Sequence, residues 1–106
     1  SLNNLSKIDS YAFNDLKSLI FLNLSHNKLE IIEKNLTKPL INLIQLDLSF
    51  NTIKYIEEGS FSTLKYLRIL QLNNNLFNKI NNLTFSGLDS IKDIYILKEV
   101  FLDEEN

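Results

Sequence analysis

The stretch "LIFLNLSHNKLEII", residues 19–32, holds an asparagine, Asn27, inside a run of large apolar residues. Asparagine is ordinarily exposed and favours turns. Its place is explained by the rest of the chain. "LIQLDLSFNTIKYI" (43–56) and "LRILQLNNNLFNKI" (67–80) return the same frame in steps of 24 residues, so Asn27 recurs as Asn51 and Asn75 and, backwards, as Asn3. "IKDIYILKE" (91–99) opens the frame again, and "NNLSKI" (3–8) closes one whose opening is missing. Self-similarity at such a period marks stacked structural repeats.

Six slots carry the frame, represented by Leu5, Ile8, Leu16, Leu19, Leu22 and Leu24. Stepped forward by 24 residues, all 24 positions are apolar. At an apolar share of 44%, chance would produce this on the order of 10⁻⁹ of the time. A seventh slot reads Phe13, Thr37, Phe61 and Phe85, so one copy departs.

The L-x-L segments alternate with period two and read as short strands. They are expected near Phe21–Ser25, Gln45–Ser49, Ile69–Asn73 and Asp93–Leu97. Leu22, Leu24, Leu46, Leu48, Leu70, Leu72, Ile94 and Ile96 point inward. One strand per repeat, all running the same way, stacks into a parallel sheet. The chain must turn away after each strand, and an inward asparagine offers both a donor and an acceptor to backbone groups that the turn would leave unpaired. Asn3, Asn27, Asn51 and Asn75 therefore form a structural ladder rather than a reactive site. Phe13, Phe61 and Phe85 are expected to stack as a spine on the convex side. Thr37 interrupts that spine, leaving the second repeat looser there or Leu36 filling the gap.

The spacing L-x-x-L-x-L-x-x-N-x-L-x-x-I, from Asn3 to about Leu97, resembles the leucine-rich repeat family. The 24-residue period, with Phe five residues after the last apolar position, is similar to the type common in extracellular members such as Toll-like receptors, Slit-type proteins and small matrix proteoglycans. The resemblance implies an α/β fold: a right-handed solenoid with a parallel β-sheet on the concave face and an irregular or short-helical convex side. It implies one domain over 1–106, with a partial repeat 1–18, repeats 19–42, 43–66 and 67–90, and a terminal partial repeat and tail 91–106. It also implies protein recognition through the concave sheet, with no enzymatic activity and no cofactor.

The outward strand residues form columns. One is Phe21, Gln45, Ile69 and Asp93, the next Asn23, Asp47, Gln71 and Tyr95, and a third Ser25, Ser49, Asn73 and Leu97. The first two columns make up the expected partner-binding set. Ile20, Ile44, Arg68 and Lys92 flank it on one side, and His26, Phe50, Asn74 and Lys98 on the other. The mixture of apolar groups, amides and few charges suits a protein ligand or co-receptor. A phosphate backbone would want several basic groups together, and net charge −2 does not favour a polyanion partner, so no nucleic acid is expected.

Other chemistry is poorly supported. His26 is the single histidine, without a nucleophile or metal-ligand partner at a suitable spacing. Glu57–Glu58 and Glu104–Glu105 are sequence neighbours, which seldom converge on one substrate atom and read as solvated surface. The chain has no cysteine and thus no disulfide framework, thiolate metal site or thiol nucleophile. Gly59 and Gly87 fall in repeat turns, whose geometry accounts for them. No apolar run has membrane-spanning length, so this segment itself is expected to make no membrane contact.

Four N-x-S/T sequons start at Asn4, Asn23, Asn35 and Asn82, against about two expected from composition. Together with the repeat type they point to an extracellular or cell-surface setting, with an intracellular scaffold or regulatory protein as the alternative. The frame is cut at both ends: Ser1 aligns with Ser25, and Glu99 stands in the next asparagine slot. Val100, Phe101 and Leu102 are expected to fold over the last core layer. A segment of a longer ectodomain is the expectation, with self-association through the uncapped edge strand as the alternative.

Overall fold

The computed structural model describes residues 6–77, 79–96 and 101–103, with Lys79, Asn82 and Phe101–Asp103 described by their backbone alone. The elements in chain order are β1 (Phe21–Asn23), β2 (Ile31–Ile32), α1 (Lys34–Thr37), β3 (Gln45–Asp47), β4 (Tyr55–Ile56), β5 (Ile69–Gln71), β6 (Lys79–Asn81), a 3₁₀ turn (Asn82–Phe85), β7 (Asp93–Tyr95) and β8 (Phe101–Asp103).

β1, β3, β5 and β7 form one parallel sheet in that order. Each strand pairs with the residue 24 positions on, as in Leu22↔Leu46, Leu46↔Leu70 and Leu70↔Ile94. The strands are three residues long, shorter than the five expected from alternation. Backbone bonding between coils nonetheless continues past them: Leu24 N–H donates to Asp47 O at 2.8 Å and His26 N–H to Ser49 O at 3.2 Å. Inward leucines of successive coils stack into one cluster, with Leu46, Leu48, Leu70 and Leu72 at 1% exposure or less. Leu22, Ile94 and Ile96 pack against it from the outer coils.

The asparagine ladder is present where described. Asn51 Oδ1 accepts from Leu29 N–H at 3.1 Å, one coil back. Its Nδ2 donates to Leu24 O at 3.0 Å, to Leu48 O at 3.1 Å and to Ser49 O at 3.2 Å. Asn75 repeats the pattern toward Ile53 N–H, Leu48 O and Leu72 O, and Asn27 bonds Leu24 O and Ser25 O. Asn3 lies outside the described residues. The Asn51 and Asn75 amides thus each join two coils and close their own turn. Asn51→Ala is expected to cost about 1–3 kcal/mol, because it orphans buried backbone groups; urea denaturation measures it, and an unchanged midpoint would refute the ladder's role.

The turn that presents each asparagine has a backbone signature that the sequence does not reveal. The residue before it is left-handed in all three coils: His26 (φ 60°), Phe50 (φ 55°) and Asn74 (φ 61°). This conformation disfavours residues with a Cβ. It is held here because the chain must bend sharply enough to aim the next side chain inward.

The far side holds features not expected from the repeat. β2 pairs with β4, Ile31 opposite Tyr55, and β6 pairs with β8. Residues 101–103 therefore form a second two-stranded side sheet with β6, Leu102 opposite Ile80. The offset there is 22 residues, not 24, so the last coil is two residues shorter. Val100, Glu104 and Glu105 lie outside the described residues.

The convex spine is real but broken. Phe61 is fully buried and stacks on Phe85 with ring centroids 6.3 Å apart and planes 9° from parallel. Phe13 packs against the core from the first coil. Thr37, in the interrupted slot, stays buried, and its hydroxyl donates to the Ser60 carbonyl of the next coil. Leu36 is also buried, outside the central cluster, and lines a recess with Ile8 and Leu29.

Candidate recognition face

The outer surface of the main sheet carries the first two expected columns. At the β1 end, Ile20 and Phe21 are exposed, Phe21 at 65%. In the centre, Gln45 Nε2 donates to Gln71 Oε1 across the strands at 3.1 Å, and Ile69 lies half-buried beside them. At the β7 end, Lys92, Asp93 and Tyr95 are exposed, and Arg68, flanking β5, is exposed beside Lys92. The face thus mixes exposed aromatics on its two edge strands with a linked amide pair and single carboxylates, Asp47 and Asp93.

Asn23 and Asp47, both in the expected partner-binding set, also serve the turns that follow them. Asn23 Oδ1 accepts from Ser25 N–H at 2.9 Å and from Ser25 Oγ at 2.6 Å. Asp47 Oδ1 does the same with Ser49, at 2.9 and 2.5 Å. One oxygen of each is occupied in closing its own turn. The third column is corrected outright: Ser25 and Ser49 are buried, at 5% and 4% exposure, rather than outward. Their hydroxyls bond the side chains of Asn23 and Asp47 two residues earlier, so they are engaged there rather than open to a partner. Asn73 remains at the surface, its Nδ2 donating to Asn74 Oδ1, and Leu97 lies outside the described residues.

The rim beyond the sheet holds a contact that spacing did not suggest. The rings of His26 and Phe50 stack 4.5 Å apart and 8° from parallel, with Phe50 45% exposed. Their common slot and left-handed backbone set them side by side, which was legible only once the turn's conformation was known. No group of three or more His, Cys, Asp or Glu side chains fit to hold a metal ion occurs among the described residues. Nor, among them, is any helix long and apolar enough to cross a membrane.

A leucine-rich repeat family model matches residues 1–53 and 41–97. The chain belongs to the leucine-rich repeat family. The solved structure of a TLR13–ssRNA13 complex is similar to it, at 39% identity and a TM-score of 0.78 over 90% of this chain. Only 13% of the TLR13 chain is covered, so the present chain spans a small part of that protein's length. No curated protein matched. The family places this chain among recognition modules whose work is binding. The four-stranded sheet is the leucine-rich repeat concave wall, and its outward residues are its candidate contacts.

Proposed function

We infer that the chain is a recognition segment of a receptor-type leucine-rich repeat protein, binding a protein ligand or co-receptor through Phe21, Gln45, Ile69, Gln71, Asp93 and Tyr95. The observation that carries this reading is the mixture on one sheet face: exposed Phe21 and Tyr95 on its two edge strands, with the bonded Gln45–Gln71 amides, half-buried Ile69 and only scattered charges between and beside them. Large exposed aromatics flanked by polar groups are the usual anchors of protein interfaces. The compartment inferred is the cell surface or exterior, supported by the repeat type and the sequons, with an intracellular scaffold as the alternative.

A single-stranded RNA is the second reading. It is the partner in the TLR13 complex, and the stacked His26–Phe50 pair is a surface on which a base could lie. Against it, the exposed cations Arg68 and Lys92 share the wall with Asp47 and Asp93.

Two measurements separate the readings. Proximity labelling in the native cells compares the wild-type segment with a Phe21→Ala/Tyr95→Ala variant and a convex control, Tyr66→Ala. Partners are expected to be retained by the control and reduced about tenfold by the double variant, with both variants melting within about 0.5 kcal/mol of wild type. Equal loss in the convex control would place the site elsewhere. A 13-nucleotide single-stranded RNA, followed by fluorescence anisotropy at physiological salt, is expected not to bind; salt-dependent binding that is lost on Arg68→Ala would favour the RNA reading.

A further inference from the structure

We propose that Asn35 is the glycan acceptor of this segment, carrying an N-linked oligosaccharide on the convex back. The proposal rests on the extracellular reading above. Its argument comes from comparing what each sequon's residues do in the fold with what the same slots do in the other coils.

Asn23-Leu24-Ser25 is explained without a sugar. The next coil spells it Asp47-Leu48-Ser49 and makes the same pair of bonds to the serine N–H and hydroxyl. A residue with a side-chain oxygen followed by serine is what this turn needs, and asparagine is one spelling of it. A sugar on Asn23 would also stand on the recognition face. Thr84, of the Asn82 sequon, is buried where the preceding coil has the equally buried Ser60, so a small hydroxyl residue is ordinary in that slot. Asn4 lies outside the described residues.

Asn35-Leu36-Thr37 differs on every count. Thr37 stands where the other coils carry Phe13, Phe61 and Phe85, so the sequon is spelled where the aromatic spine is sacrificed. Its hydroxyl, which an apolar slot does not call for, donates to the Ser60 carbonyl and lies 3.4 Å from the Lys34 carbonyl. Asn35 stands where the other coils carry Tyr11, Gly59 and Leu83, and its amide makes no hydrogen bond to any described residue. Asn35 is exposed on α1, away from the main sheet. It opens onto a shallow groove with Tyr11, Pro39 and Ile41, of which Tyr11 is 66% exposed. An aromatic ring and two apolar neighbours form a shelf on which the hydrophobic face of a sugar can lie. Two departures from the repeat coincide, and together they create an unengaged acceptor beside an apolar shelf.

The transfer is a glycosyl substitution. Asn35 Nδ2 loses a proton and bonds the anomeric carbon of a lipid-diphosphate-linked oligosaccharide. The anomeric C–O bond breaks, and the diphosphate leaves with the electron pair. It takes place on the unfolded chain, before Thr37 is buried, and the folded structure then leaves the sugar in solvent.

The test is peptide mapping after glycosidase release in heavy-oxygen water, which converts a glycosylated asparagine to labelled aspartate. It is applied to the protein from its native source and to this chain secreted from eukaryotic cells behind a cleavable leader. Label at Asn35 in both supports the proposal. Label in the secreted chain alone overturns the extracellular reading and with it the native assignment. No label at Asn35 in either, or label at Asn23 with Asn35 unmodified, overturns the acceptor assignment itself. In the secreted chain, Asn35→Gln and Thr37→Val are expected to abolish the label and Thr37→Ser to keep it. Asn35→Gln in the unglycosylated bacterial chain is expected to leave the melting temperature unchanged.

Discussion

Phe61→Ala is expected to lower stability by about 3–5 kcal/mol, the range for removing a fully buried aromatic ring. Phe61 has no exposed surface and lies against Phe85 in a parallel stack. Its other neighbour along the spine is the short Thr37, held in place by its bond to the Ser60 carbonyl. Neither side can move into the space left behind, so the cavity stays open. The loss is amplified by architecture, because a solenoid coil touches only its neighbours and weakening a central coil loosens both of its interfaces. In a domain of about this size each kcal/mol corresponds to about 4–8 °C of melting temperature. The same change at Phe13, half-buried in the first coil, is expected to cost clearly less. Calorimetry or urea denaturation measures both; a loss below about 1 kcal/mol at Phe61 would show that the spine does not hold the coils together.

Gly87→Ala is expected to cost about 2–4 kcal/mol, and for a different reason. A Cβ at this position would fall 2.5 Å from Ser62 Cα and 2.7 Å from the Ser62 carbonyl oxygen, in the backbone of the previous coil. Backbone cannot rotate aside as a side chain can, so the coils must separate, which is an overpacking cost. The left-handed φ of +90° adds strain for any residue with a Cβ. Gly59→Ala separates the two effects. It has nearly the same φ, +86°, but its nearest neighbours are the Lys34 and Ser62 side chains, 3.9 and 4.0 Å away. Only the backbone strain of about 1–2 kcal/mol applies there. Equal costs at the two glycines would mean that the coil contact at Ser62 relaxes freely.

The outward face of the main sheet was legible in outline. The residues at Phe21, Gln45, Ile69 and Tyr95 stand outward where alternation puts them, because parity along a strand is a local property. Ser25 and Ser49 are buried all the same, because parity says which side a residue takes and not whether a neighbouring side chain, here Asn23 or Asp47, closes over it. The Gln45–Gln71 bond and the His26–Phe50 stack join neighbouring coils, and no pattern within one repeat specifies which side chains across that gap will meet.

The sequence by itself determined the period, the parallel sheet, the leucine core and the asparagine ladder. All of these follow from residues repeating in one frame, so that stacking any two coils brings like onto like. Only the tertiary structure decided the rest. It set the left-handed turn before each asparagine, the close approach of Gly87 to Ser62, the side sheets with their shortened last coil, and the free position of Asn35. Each depends on how far apart and at what angle two coils come to rest, and that spacing is a compromise struck by every contact between them at once.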